Sequence, residues 1–275
     1  MHLVGLTYFF STFVKNINLT RYFIRLAFDG SNYHGWQSQQ NAVSVQSELE
    51  KCLSLKLGTS IKLTGCGRTD TGVHAREYFA HFDLEQVFDF SAKTAFLHTM
   101  NQFLPLDIVL FDIFQVNDNA NARFDAISRT YRYYIHRQKN PFIDTYSLLH
   151  YGTLNLTLMQ KACGVLFDYE DFTSFSKLHS KTKTNFCQII EAKWEESDDA
   201  IVFTITANRF LRNMVRAIVG TMLVVGKEKL SLDDFRAVIE SKNRSNAGFS
   251  VPGNALFLEK VCYPKDIRTK FEIES

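Results

Sequence analysis

The sequence predicts an α/β (α+β) protein built from two ferredoxin-like β-α-β-β-α-β halves with mainly antiparallel sheets. Three observations carry that expectation. Segments of two-residue apolar alternation interchange with segments of helical spacing. The order β-α-β-β-α-β occurs in residues 21–116 and again in residues 123–265, which is the split βαβ plan. Between them runs Val116-Asn117-Asp118-Asn119-Ala120-Asn121-Ala122, a stretch that suits a connection.

In the first half, Arg21 to Phe28 alternates and ends at the turn signal Asp29-Gly30, so it reads as a strand. Ser44 opens an amphipathic helix with Val45, Leu49, Cys52 and Leu53 on one stripe, and Gly58 stops it. Ile61 to Thr64 and Tyr78 to Phe82 are strands on either side of a glycine-rich loop. Ser91 to Met100 makes a helix that ends near Pro105, and Ile108 to Phe114 is the last strand. In the second half, Arg129 to Arg137 is a strand and Thr157 caps a helix running to Phe167. Phe186 to Trp194 and Ile201 to Thr206 are strands, and Phe210 to Val225 is a helix. Ser231 caps a further helix, with Asp234 three residues on and Leu232, Phe235, Val238 and Ile239 as its buried face. Ala255 to Val261 closes as a strand.

Residues 1–20 stand apart. Leu3 to Val14 is apolar-rich but is interrupted by Thr7, Ser11 and Thr12, and it is too short to span a bilayer. It has neither a basic n-region nor a small-residue cleavage site. It is read as an N-terminal extension, open to disorder, before the folded chain.

The chain is 45% hydrophobic and 22% charged, an ordinary soluble globular composition. With 25 Phe and 11 Tyr, any single aromatic is first a candidate for packing. The five cysteines form no Cys-x-x-Cys, which argues against a disulfide framework or a structural zinc site and for a reducing cytoplasm. The histidines show no metal-ligand spacing either. The net charge is only +2, but it is segregated. Residues 121–139 carry Arg123, Arg129, Arg132, Arg137 and Lys139 against Asp125 alone. Residues 200–216 carry Arg209, Arg212 and Arg216 and no acid. Such a chain can show a basic face to a polyanion.

The most informative stretch is Gly65-Cys66-Gly67-Arg68-Thr69-Asp70-Thr71-Gly72-Val73-His74-Ala75, in which Asp70 is the sole acid. Glycines permit unusual turns and let a ligand come close. A carboxylate on such a turn, beside a cation, suits chemistry or tight recognition. A phosphate-cradling Gly-x-Gly-x-x-Gly would need glycine at position 70, and no Gly-Lys-Ser/Thr follows. Arg209, Arg212 and Arg216 fall on one side of the expected helix, with Gly220 continuing the stripe. That spacing allows a solvated basic face or a half-buried arginine paired with a carboxylate, for which Asp70 is a candidate. Tyr131 and Tyr133 share a strand face with Arg129 and could either clasp a nucleobase or face the core.

These motifs, in this order, resemble the tRNA pseudouridine synthase A family. The resemblance covers nearly all of residues 21–264. Besides the Asp70 loop it rests on four blocks. They are Asp29 to Gln37, Ala122-Arg123-Phe124-Asp125-Ala126 with Arg129 to Tyr133, Asp171 to Phe175, and Phe210 to Gly220. Cys66 stands where the family usually has Ala, a small change, and residues 1–20 have no family counterpart. The resemblance implies a pseudouridine synthase fold and a cytoplasmic homodimer. It implies conversion of uridine to pseudouridine at positions 38, 39 and 40 of the tRNA anticodon stem-loop. It implies Asp70 as the essential carboxylate, Tyr131 as the residue stacked on the target base, Arg68 as an aid to base extrusion and Arg216 as the ion-pair partner of Asp70. The isomerisation exchanges no atoms with a second substrate, so no cofactor, metal or membrane is implied.

Two other readings are weighed beside it. Asp70-Thr71-Gly72 matches the loop of an aspartic protease, where two carboxylates share a proton, but no second Asp-Thr/Ser-Gly occurs. A non-catalytic RNA-binding module would suit the tyrosine strand, but an acid beside an RNA backbone is a liability unless it works.

Overall fold

The computed structural model describes residues 19–268 apart from 86, 178–182, 198 and 199. Most of the expected extension, residues 1–18, lies outside them, and Thr20 already belongs to the first strand. The first half contains β1 (Thr20–Phe28), α1 (Val45–Leu57), β2 (Thr64–Gly65), β3 (His74–Leu84), α2 (Lys93–Phe103) and β4 (Ile108–Gln115). The second contains β5 (Ser128–His136), β6 (Leu148–Leu149), α3 (Leu156–Leu166), β7 (Ile189–Glu196), β8 (Ile201–Ala207), α4 (Met214–Gly226), α5 (Leu232–Glu240) and β9 (Leu256–Cys262).

The strands form one sheet in the order β4-β1-β3-β9-β5-β8-β7, antiparallel except for the β3–β9 pair and the small β5–β6 pair. With the two-residue β6 left aside, each half repeats the same spatial order of its own strands: fourth, first, third, second. The expected pair of sheets is thus a single continuous one. Its seam follows from the shortness of β2, which pairs with β3 only at Thr64↔His81 and Gly65↔Ala80. The rest of that edge of β3 is free for β9, which pairs there as His74↔Phe257 and Ala75↔Leu258.

Local chemistry sets most element ends. Ser44 and Ser47 make a reciprocal capping box on α1, and Gly58 closes that helix with φ 66°. Ser231 and Asp234 do the same for α5. The cap of α3 is Asn155, whose side chain accepts from the Leu158 amide, rather than Thr157. Residues 61–63 are not a strand, although Ile61 and Leu63 are buried. The largest departure is α4, which starts at Met214 and not near Phe210. Asn213 holds φ 69°, a left-handed conformation that interrupts the helix. Arg209 and Arg212 therefore precede the helix, and the expected three-arginine helical stripe does not form.

Two cores sit under the sheet. Tyr22, Leu26, Leu49, Leu53, Phe96 and Met100 belong to the first, and Phe203, Ile205, Ile218, Met222 and Phe235 to the second. They interlock at the seam: Val73 from the first half packs in the second core, and Leu258 and Val261 of β9 pack in the first. Each large apolar side chain fully buried this way stabilises the fold by roughly 1.5–3 kcal/mol.

His81 ties the connection between the halves to β3. Its Nδ1 accepts from the Ala122 amide at 3.1 Å and its ring stacks on Phe23. Burial, aided by the Arg21 charge, pushes its pKa down from 6.5 to about 4. The native state then binds fewer protons than the unfolded chain between those values, so stability rises with pH across that window. Urea midpoints are expected to fall as pH drops from 6.5 towards 4. His81→Asn, which keeps an acceptor but does not titrate, should flatten the fall. Equal slopes in the two proteins would remove His81 from the linkage.

Candidate active site

The loop between β2 and β3 is fixed from below before any functional side chain is considered. The Trp36 ring stacks on the buried Tyr78 at 4.1 Å, and the Tyr78 hydroxyl donates to the Gly67 carbonyl. A Cβ at position 65 would stand 2.2 Å from that hydroxyl and 2.5 Å from Trp36 Nε1, so Gly65 serves packing rather than ligand approach. The Trp36 amide donates to Thr69 Oγ1 at 3.0 Å. The Val73 amide donates to the Asp70 carbonyl at 3.2 Å, closing a four-residue turn with Gly72 at φ 75°. Cys66 is buried in this base, and burial pushes its thiol up to about 11, which suits packing and not reactivity.

Asp70 leaves this turn towards the second half. Its Oδ2 lies 3.1 Å from Arg216 Nη1, and its Oδ1 lies 3.5 Å from Arg212 Nε. Arg216 is on the first turn of α4 and its Nε donates to the Val251 carbonyl at 2.7 Å, which aims the guanidinium. The Asp70 side chain remains 20% exposed. It opens on a cavity of about 900 Å³, also lined by Arg68, Arg212, Arg216, Lys177 and Arg244. That volume is at the upper end for small-ligand pockets and admits a nucleotide. Asp70 is the one acid among the lining residues, and His34 the one imidazole.

The structure thus brings Asp70, Arg68 and Arg216 to one cavity. Tyr131 is not among its lining residues but stands close by, half-buried and packed against both cores, with its ring edge-on to Phe210 at 5.2 Å. Burial raises its phenol above the ordinary value, and the charges of Cys66 and Asp70 raise it further. Tyr133 does not join it. That ring is fully buried, and its hydroxyl donates to the Pro252 carbonyl. The two-tyrosine clasp allowed by the strand spacing is therefore absent, because the face they share enters the second core beyond Tyr131. Asp70 also faces two guanidiniums rather than a second carboxylate, which is not the dyad of an aspartic protease. No motif or spacing in the sequence singles out Lys177 or Arg244.

Among the described residues, no three His, Cys, Asp or Glu side chains come together to hold a metal ion. No helix among them is long and apolar enough to cross a membrane.

Residues 169–264 match the family model described as tRNA pseudouridine synthase. Over 252 residues the chain is 52% identical to the tRNA pseudouridine synthase A of Bacteroides thetaiotaomicron, covering 90% of this chain and 93% of that one. The protein of the same name from Parabacteroides distasonis is 50% identical, with 90% and 98% covered. That from Clostridium acetobutylicum is 41% identical, with 91% and 100% covered.

Gly35 tests how tightly the loop is set. It holds φ 89°, and a Cβ there would stand 2.2 Å from the Thr69 carbonyl oxygen, a backbone atom that cannot swing away. Gly35→Ala is expected to lower stability by about 1–3 kcal/mol in urea unfolding and to shift Trp36 fluorescence. An unchanged midpoint and spectrum would mean that the loop is free to move.

Proposed function

The chain belongs to the tRNA pseudouridine synthase A family and isomerises uridine to pseudouridine in tRNA, and on that premise we propose that Asp70 is its catalytic carboxylate. The observation that carries this reading is the cavity at the seam, where Asp70 is the single acid and is set by cations from the other half. The reaction breaks the N1–C1′ bond and forms C5–C1′. The ring loses a proton at C5 and gains one at N1, so atoms and electrons balance with no redox partner. The steps call for a nucleophile or base close to the ribose and uracil, and Asp70 is the lining group suited to supply it. Arg216 and Arg212 fix the direction of its oxygens.

A uridine in a stem must leave the stack first, at a cost of a few kcal/mol. Tyr131 offsets part of this by stacking on the swung-out uracil, worth roughly 1–3 kcal/mol. Arg68, exposed beside Asp70, helps to extrude the base. The surplus of Arg and Lys around the cavity binds phosphates, so affinity falls steeply with salt. Action at positions 38, 39 and 40 of the anticodon arm, a homodimeric assembly and a cytoplasmic location are part of the same proposal and rest on the family resemblance.

Asp70→Asn should bind an unmodified tRNA transcript within a few-fold of the parent and lose turnover by on the order of 10³ or more. Nucleotide-resolution mapping of pseudouridine reads the result, and retained turnover would overturn the assignment. Tyr131→Leu should raise KM and lower kcat together. Unchanged kinetics would return Tyr131 to the core.

A further inference from the structure

Beyond the rim of the cavity lies a second feature that the isomerisation does not use. Asn121 to Asp125 forms a tight turn directly before β5. The Asn121 side chain accepts from the amides of Arg123 and Phe124 at 2.9 and 3.2 Å, and Asp125 Oδ2 accepts from the Asn121 amide at 2.7 Å. The Asp125 amide donates to the Asn121 carbonyl at 3.0 Å. These reciprocal bonds hold the turn rigid and present Arg123 and Phe124 at its tip. Phe124 is 75% exposed, and the Arg123 guanidinium lies over its ring at 5.4 Å from the centroid. A single exposed ring is ordinary on a protein surface, and what sets this one apart is the guanidinium laid over it and the cations around it.

The surroundings indicate which partner. Arg129 reaches the carbonyls of Arg123, of Asn208 beside Arg209 and of Cys66 near Arg68, so four arginines gather here, and partial burial with the neighbouring guanidiniums lowers the Arg123 pKa. None of the four forms an ion pair among the described residues. Arg129 places its described bonds on carbonyls alone: Ala126, Asn208, Cys66 and Arg123. That arginine links the base of the Asp70 loop, through Cys66, to the Phe124 turn and to the end of β8. Arg68 belongs both to this cluster and to the lining of the cavity. Crowded positive charge of this kind is relieved by phosphates, and an aromatic face among phosphate-binding cations is the arrangement that stacks unpaired bases.

We propose that the Asn121–Asp125 turn is a second RNA-binding site, in which Phe124 stacks an unpaired base of the substrate RNA while Arg68, Arg123 and Arg209 hold the adjoining phosphates. The proposal rests on the reading of the chain as an RNA-modifying enzyme and adds a contact outside the Asp70 cavity. It gives the enzyme a grip on the strand next to the uridine that has left the stack. Rigidity of the turn means that little ordering cost is incurred on binding.

The test measures Kd for an unmodified tRNA transcript over a range of salt, with the full chain and four variants. Phe124→Ala and Phe124→Leu should weaken binding by about five- to one-hundred-fold, and Phe124→Tyr should bind as the parent does. Arg123→Gln should reduce the slope of log K against log salt by about one. A short single-stranded RNA carrying 2-aminopurine should be quenched by the parent and by Phe124→Tyr but not by Phe124→Leu. Phe124→Leu binding as tightly as the parent would show that the ring stacks no base and would overturn the proposal. So would a Phe124→Ala variant that changes self-association on size exclusion while keeping its RNA affinity. If the parent forms pseudouridine and the Phe124 series is silent, this inference alone fails. If the parent forms none in any tRNA, the proposed function fails, while the 2-aminopurine measurement still judges the turn.

Discussion

The ion pair between Asp70 and Arg216 joins a loop of the first half to a helix of the second, and the geometry of the cavity depends on it. It does not hold the halves together. A single ion pair whose two side chains stay in partial contact with water contributes on the order of 1 kcal/mol. The seam is held instead by the parallel pairing of β3 with β9 and by side chains that cross between the cores, such as Val73 and Leu258. Those burials are worth several times more. The pair therefore serves direction: with the backbone already fixed, Arg216 needs only to point, and its bond to the Val251 carbonyl makes it do so.

The same division of labour runs through the loop. Trp36, Tyr78 and the close approach at Gly65 settle where the backbone lies. The polar side chains above them are then free to be chemical rather than structural. Arg129 extends the arrangement sideways. By bonding carbonyls of Cys66, Arg123 and Asn208, it joins the Asp70 loop, the Phe124 turn and the end of β8. A net charge of +2 hides this concentration of arginines, because the balancing acids lie elsewhere along the chain.

Several elements were legible because their cause is local. The Ser44 and Ser231 caps, the Gly58 stop and the alternation of β1 need only neighbouring residues to explain them. Local pattern misleads where a non-local or rare backbone state decides. The run from Phe210 is apolar enough to look helical, yet Asn213 sits in a left-handed conformation that no spacing reveals. Arg212 still reaches Asp70, but from the loop before α4, while Arg216 reaches it from the helix. Tyr131 and Tyr133 share one strand parity, and only the end of the core near the seam separates a half-buried ring from a fully buried one.

By itself the sequence determined the repeated β-α-β-β-α-β order, the glycine-flanked Asp70 and the motifs that match one family, because periodicity and short spacings are properties of the chain alone. Only the tertiary structure decided that the two halves share one sheet, that β2 is short enough to admit β9, and that Lys177 and Arg244 join Arg68 around one carboxylate. The physical reason is distance along the chain. Residues as far apart as Asp70 and Arg216 meet through the pairing of strands from opposite halves, and no local pattern carries the register of that pairing.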